Sequence, residues 1–254
     1  MEKGISMAKT IELTKEEVDY IKKHHKKLGA GVDGEVYSIK GNLLYKLYTN
    51  ISQEVKRIPG VLTREESLYK ALEIQPKIKH TNLPQNIITV DSQVVGCTYK
   101  RYNTIFGIYA LSLLPINKRK EVLKELLIKI QELLDNNIYL VTLAQKNLIF
   151  PLLKNDSNIL LSYRLEPLII DLDGISAIYT EEYKETYYKE TLVSLSKLIF
   201  EILLGQDLPW EYLDENQDEF LSLCEKFGLD CHLAKEYYDA NYLDIETLNK
   251  VLKR

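Results

Sequence analysis

Residues 28–46, Leu-Gly-Ala-Gly-Val-Asp-Gly-Glu-Val-Tyr-Ser-Ile-Lys-Gly-Asn-Leu-Leu-Tyr-Lys, restrict the possible folds more than any other stretch of this chain. Gly29, Gly31 and Gly34 stand in G-x-G-x-x-G spacing, and Val36 follows two positions on. Glycines so spaced let a loop bend tightly and bring main-chain N–H groups close to phosphate oxygens. The flanks decide which kind of loop it is. A dinucleotide-binding loop follows a buried strand and opens a helix. Here the preceding residues, His24-His25-Lys26-Lys27, are too polar for a buried strand, and Glu35–Lys40 alternates like a strand rather than a helix. Gly41-Asn42 then reads as a turn, and Leu43–Tyr48 as a second strand that carries Lys46. The expectation is a hairpin with a glycine loop folded over its top. The bland alternative is a structural turn beside a surface lysine.

A chain of 254 residues is long enough for one large domain or for two lobes that share a cleft. Its 45% hydrophobic and 28% charged content is that of an ordinary globular protein. The net charge of −4 excludes a general nucleic-acid or anionic-membrane signature, so neither is expected as a partner. Cys97, Cys224 and Cys231 lack paired metal spacing and read as reduced thiols of a cytoplasmic protein. No apolar run has the length of a membrane span, and the Met1 end lacks an apolar secretory core.

Capping boxes at Thr14–Glu17 and Thr63–Glu66 predict helices from Lys15 to about Lys23 and from residue 64 onward. The basic run Lys22–Lys27 between the first helix and the glycines has two readings. It is a helix C-terminus whose cations offset the dipole, or a small phosphate-binding patch, and the first is preferred. Ile87–Val90, a turn at Asp91-Ser92 and Gln93–Lys100 predict a second hairpin. Val122, Leu123, Leu126, Leu127, Ile130, Leu133 and Leu134 form one apolar stripe on a helix over 117–137. Glu166–Ile170 reads as a buried strand ending in the acidic turn Asp171-Leu172-Asp173-Gly174, and Glu190–Gly205 as a buried helix. The tail from Asp218 divides near Gly228 and Asn241 into two or three short amphipathic helices.

The order strand, glycine loop, strand, turn, strand with lysine resembles the nucleotide-binding lobe of protein kinases. The resemblance runs over about residues 28–210 and is densest at the glycine loop and the Glu190–Gly205 helix, with its Leu208-Pro209-Trp210 exit. It implies an α+β, bilobal protein-kinase-like fold. The first lobe, 28–102, would be a five-stranded antiparallel sheet with one helix, preceded by an extension over 1–27 with a short helix. The second, 103–254, would be mostly helical. It also implies that Gly29, Gly31, Gly34, Val36 and Lys46 meet ATP, and that a glutamate of the helix after residue 63 pairs with Lys46. Glu65 is the better candidate, because Leu68, Tyr69 and Leu72 are read as the inward face beside it, and Glu66 is the rival. Lys100 and Tyr102 would lie in the crossing segment that lines the adenine site.

The catalytic loop of that family, H-R-D-L-x-x-x-N, is only partly matched. Asn147 stands where the family binds magnesium, but Leu140, Val141 and Thr142 stand for the His, Arg and catalytic Asp. A threonine hydroxyl does not ionise near neutral pH and cannot take the substrate's proton. Asp171 stands for the metal-binding Asp, with Asp173 as a possible second magnesium ligand, and carboxylate oxygens suit that ion. The alternative for both is an Asp-Gly turn. Thr191 stands where the family has an Asp that braces the loop, so brace and braced residues are expected to be missing together. The segment from Leu172 to Glu190 has no Ala-Pro-Glu and is too short to dock a peptide in the usual way. The expectation is a pseudokinase that holds ATP and Mg2+ and acts on a protein partner. A weakly active atypical phosphotransferase is the alternative, and a scaffold that binds no nucleotide comes third.

Overall fold

The computed structural model describes residues 10–30, 34–40, 42–49, 63–78, 81–140, 158–170, 172, 181–206, 208 and 216–253. They fall into two compact units: the residues up to Asn103 with Leu172, and the remainder from Thr104 on. Among the described residues no helix is long and apolar enough to cross a membrane.

The first unit is built on six strands: β1 (Thr10–Glu12), β2 (Lys26–Ala30), β3 (Gly34–Ile39), β4 (Leu43–Tyr48), β5 (Asn86–Val90) and β6 (Gln93–Lys100). Their order is β1-β5-β6-β4-β3-β2. The sheet is therefore mixed and six-stranded, not five-stranded and antiparallel, because β1 lies parallel to β5. Three residues are too few to show an alternation. What holds β1 is its ladder and the Glu12 carboxylate, which accepts from the Thr89 hydroxyl and the Ser92 N–H. Both hairpins form, with positive φ at Asn42 in the first turn and at Asp91 and Ser92 in the second.

Two helices rather than one pack on this sheet. α1 (Lys15–His24) and α2 (Arg64–Ile74) both begin with the capping boxes read from the sequence. Alternation in β4 sends Tyr45 and Leu47 to one face and Leu44, Lys46 and Tyr48 to the other. Ile21 of α1 packs with Tyr37, Leu47 and Ile88. Leu68 of α2 packs with Tyr48, Ile87, Cys97 and Tyr99 on the opposite face. The stretch read as an extension thus supplies the outer strand β1 and covers one side of the sheet.

The second unit carries a three-stranded antiparallel sheet that the sequence reading did not anticipate in full: β7 (Thr104–Gly107), β8 (Ile159–Ser162) and β9 (Pro167–Ile169), in that order. The α-helices among its described residues are α3 (Ile116–Asp135), α4 (Glu181–Leu204), α5 (Gln217–Lys226), α6 (Cys231–Ala240) and α7 (Ile245–Lys253). The apolar stripe of α3 is buried as expected. α4 begins well before Glu190. Gly228 and Asn241, both at positive φ, separate the last three helices.

Candidate functional site

In the first unit the strand register brings the predicted residues into rows. Val36 lies directly opposite Lys46, and Lys46 directly opposite Cys97. Opposed residues of antiparallel strands point to the same side, so Val36 and Lys46 share the face that α2 covers. Lys46 is 7% exposed, with its ammonium 5.9 Å from the centre of the Tyr48 ring. Lysine is among the side chains least often buried to this degree.

The glycines divide by role. Gly34 begins β3 opposite Tyr48, and a Cβ there would run into the Leu47 carbonyl. Its side is closed by strand packing. Gly29 pairs with Val36 in β2 and has open space where a Cβ would stand. Gly31 lies outside the described residues.

Glu65 is not brought to Lys46. It is exposed in the first turn of α2 and forms no ion pair among the described residues. The physical reason is the position of the buried face. Ser67, Leu68, Ala71 and Ile74 are buried, whereas Tyr69, read as inward, is 46% exposed. The phenol tolerates water, so the apolar reading of Tyr69 rotated the helix in the wrong direction. Glu66 closes the capping box, accepting from the Thr63 N–H at 2.8 Å.

At the end of β6 the Lys100 ammonium lies 5.3 Å from the centre of the Tyr102 ring. The Lys100 carbonyl accepts from Asn82 at 3.0 Å, and the Arg101 N–H donates to the Asn42 carbonyl at 2.7 Å. The Arg101 carbonyl and both main-chain groups of Tyr102 have no partner among the described residues. They can serve a ligand.

Thr142, Asn147, Asp171 and Asp173 lie outside the described residues. At Leu140, the last described residue before 141–150, the second unit shows a contact that the sequence reading did not foresee. Thr191, fully buried, accepts from the Leu140 N–H at 2.9 Å and donates to the Tyr187 carbonyl one helical turn back, also at 2.9 Å. A hydroxyl has a donor and two acceptor sites, so it bonds its own helix and still holds Leu140. The reading from residue type alone missed this, because threonine lacks the charge that was being looked for.

α4 repeats the device along its length. Ser196 accepts from the Leu243 N–H at 2.9 Å. Glu201 accepts from the Tyr109 hydroxyl at 2.9 Å and from the Leu208 N–H at 3.2 Å. The carbonyls of Ile202 and Leu203 accept from Arg119 at 2.9 and 2.8 Å. Burial alone lowers the pKa of that guanidinium. These partners were not foreseen. A buried Ser, Thr or Glu within an apolar helix is the signal that points to them, since such groups are rarely left unpaired.

A groove of about 440 Å³ lies between α1 and the β5–β6 hairpin, walled by Val18, Val90 and Val95. It is on the face away from Lys46 and holds none of the predicted residues. Among the described residues no cluster of His, Cys, Asp or Glu is suited to a metal ion. No protein-family model matches this chain, and no curated protein is similar to it in sequence.

Proposed function

We propose that this chain is a bilobal protein-kinase-like protein that binds ATP with Mg2+ and works as a cytoplasmic binding module, a pseudokinase, on a protein partner. The observation that carries the reading is Lys46, buried on a sheet face in line with Val36, one hairpin after the glycine-rich strand. A lysine is seldom buried to this degree, and a compact ammonium there can serve a phosphate as a point charge. The unpartnered main chain at Arg101 and Tyr102 supports an adenine-binding role for the crossing segment. Glu65 is not part of this proposal. Asn147 and Asp171, with Asp173 beside it, would hold the magnesium, and the ion would neutralise charge on the phosphates. With Thr142 in place of the acid, no side chain there takes a proton from an acceptor.

The test is thermal unfolding with ATP, in magnesium or in chelator. Magnesium should enlarge the stabilisation by ATP, and Asp171→Asn should remove the difference. Equal shifts with and without metal would contradict the reading.

One observation favours the second reading, a weakly active phosphotransferase. Thr191 keeps the entry to the loop anchored at Leu140, and phosphoryl transfer depends mostly on positioning and electrostatics. A missing base costs about 10²–10⁴-fold in rate without forbidding the reaction. Phosphate release and autophosphorylation from labelled ATP decide. The module predicts no signal from an ATP-binding wild type. Turnover that is lost in Asp171→Asn would make the chain an enzyme.

A further inference from the structure

The end of the first unit's sheet at the β3–β4 turn is basic, in a chain whose net charge is −4. Lys26 opens β2 directly opposite Ser38. The Arg101 guanidinium donates to the Ser38 hydroxyl at 2.8 Å, and His25 Nδ1 lies 3.3 Å from the Ser38 carbonyl. Lys40 follows β3, Lys100 ends β6 and Lys23 lies in the last turn of α1. These five cations are exposed, and none has an acidic partner among the described residues. Lys27 differs: it points to the other face and is paired with Glu35 at 2.9 Å.

The same place has a second property. β2 is the outermost strand, paired only with β3 among the described residues, and all five of its residues are exposed. An open edge presents a row of main-chain donors and acceptors to any strand that fits. Lysines on such an edge repel a second copy of themselves, and they favour a strand that carries carboxylates.

We propose that β2 is a docking edge for an acidic, extended peptide segment of a partner protein, added as a further strand with its carboxylates over Lys26 and Arg101. The ladder gives affinity and the cations select the sequence, the usual division of labour in strand addition. The exposed Leu28 side chain offers the peptide one apolar contact. A nucleic acid fits less well. It cannot use the strand edge, and a long polyanion would run off the basic end onto a protein of net negative charge. The inference does not rest on ATP binding, but the edge adjoins the proposed nucleotide site, because β2 carries Gly29 and Arg101 lies in the crossing segment, so the titration is made without nucleotide.

The experiment is fluorescence anisotropy with a labelled peptide of alternating glutamate and threonine, titrated with the full chain. Controls are the same peptide with lysine for glutamate, the glutamate peptide with alternate amide nitrogens methylated, and an oligothymidylate of similar length. The glutamate peptide should bind, and both peptide controls and the oligothymidylate should bind at least about ten-fold more weakly. Lys26→Glu should weaken the glutamate peptide to a similar degree. The milder Lys26→Gln should weaken it less, and circular dichroism should match the wild type, since the side chain is exposed. No binding, equal binding of the methylated peptide, or tighter binding of the oligothymidylate would each overturn the proposal.

Discussion

One hydroxyl at full burial carries two main-chain contacts at Thr191, and its removal has a defined cost. Thr191→Val keeps the shape but strands the Leu140 N–H, whereas the Tyr187 carbonyl keeps its helical acceptor role. A buried group left unsatisfied costs about 1–3 kcal/mol, so urea unfolding should show a loss of that order, mostly restored by Thr191→Ser. A valine variant as stable as the wild type would show that the bond to Leu140 contributes nothing. Among the thiols, burial first and Cys231 second push the Cys224 pKa up to about 12. The thiolate is the reactive form. Alkylation of the native protein at about pH 8 should therefore modify exposed Cys231 and spare Cys224, as mass spectrometry of the peptides will report; the reverse order would contradict the burial. Glu35 is held below the usual carboxylate range by the Tyr37 hydroxyl first and by Lys27 second. A carboxyl depressed in the folded state adds stability above its unfolded value, near 4.3, and loses it as pH falls through the folded value. The stability difference between wild type and Tyr37→Phe should thus be constant above about pH 5 and narrow at lower pH. A difference that widens on acidification would contradict the assignment.

At the level of strands and helices, the glycine pattern separates two causes that spacing alone cannot. Gly34→Ala would drive a Cβ into the Leu47 carbonyl, an overpacking of main chain that typically costs about 1–3 kcal/mol. Gly29→Ala meets open space and should stay within about 0.5 kcal/mol of the wild type. Denaturant titration of the pair checks this. Equal destabilisation would mean that neither glycine is set by β4. The hairpins, both capping boxes, the α3 stripe and the three tail helices were legible, because each rests on local pattern or turn chemistry. β1 was not, since three residues in a parallel edge depend on a partner far along the chain. The face of α2 was misread because an amphipathic tyrosine sits in either environment, and Glu65 moved to the surface with it. Thr191 was read by charge, when what matters there is a hydroxyl of the right reach.

Across the whole chain, two units with separate cores carry the proposed residues. The first holds Lys46 and Val36 on a sheet lined by helices on both faces. The second ties Leu140, Leu243, Leu208 and Arg119 to the buried polar groups of α4. Nucleotide binding at Lys46 is the claim on which the functional reading depends. Isothermal titration with ATP and magnesium, on wild type and Lys46→Met, tests it directly, because methionine keeps most of the buried stem and removes the charge. Binding by the wild type should weaken by roughly ten-fold or more in the variant, the scale of a lost charge-assisted contact of about 1.5–3 kcal/mol. Undetectable binding by the wild type, or equal affinity in a folded Lys46→Met, would contradict it.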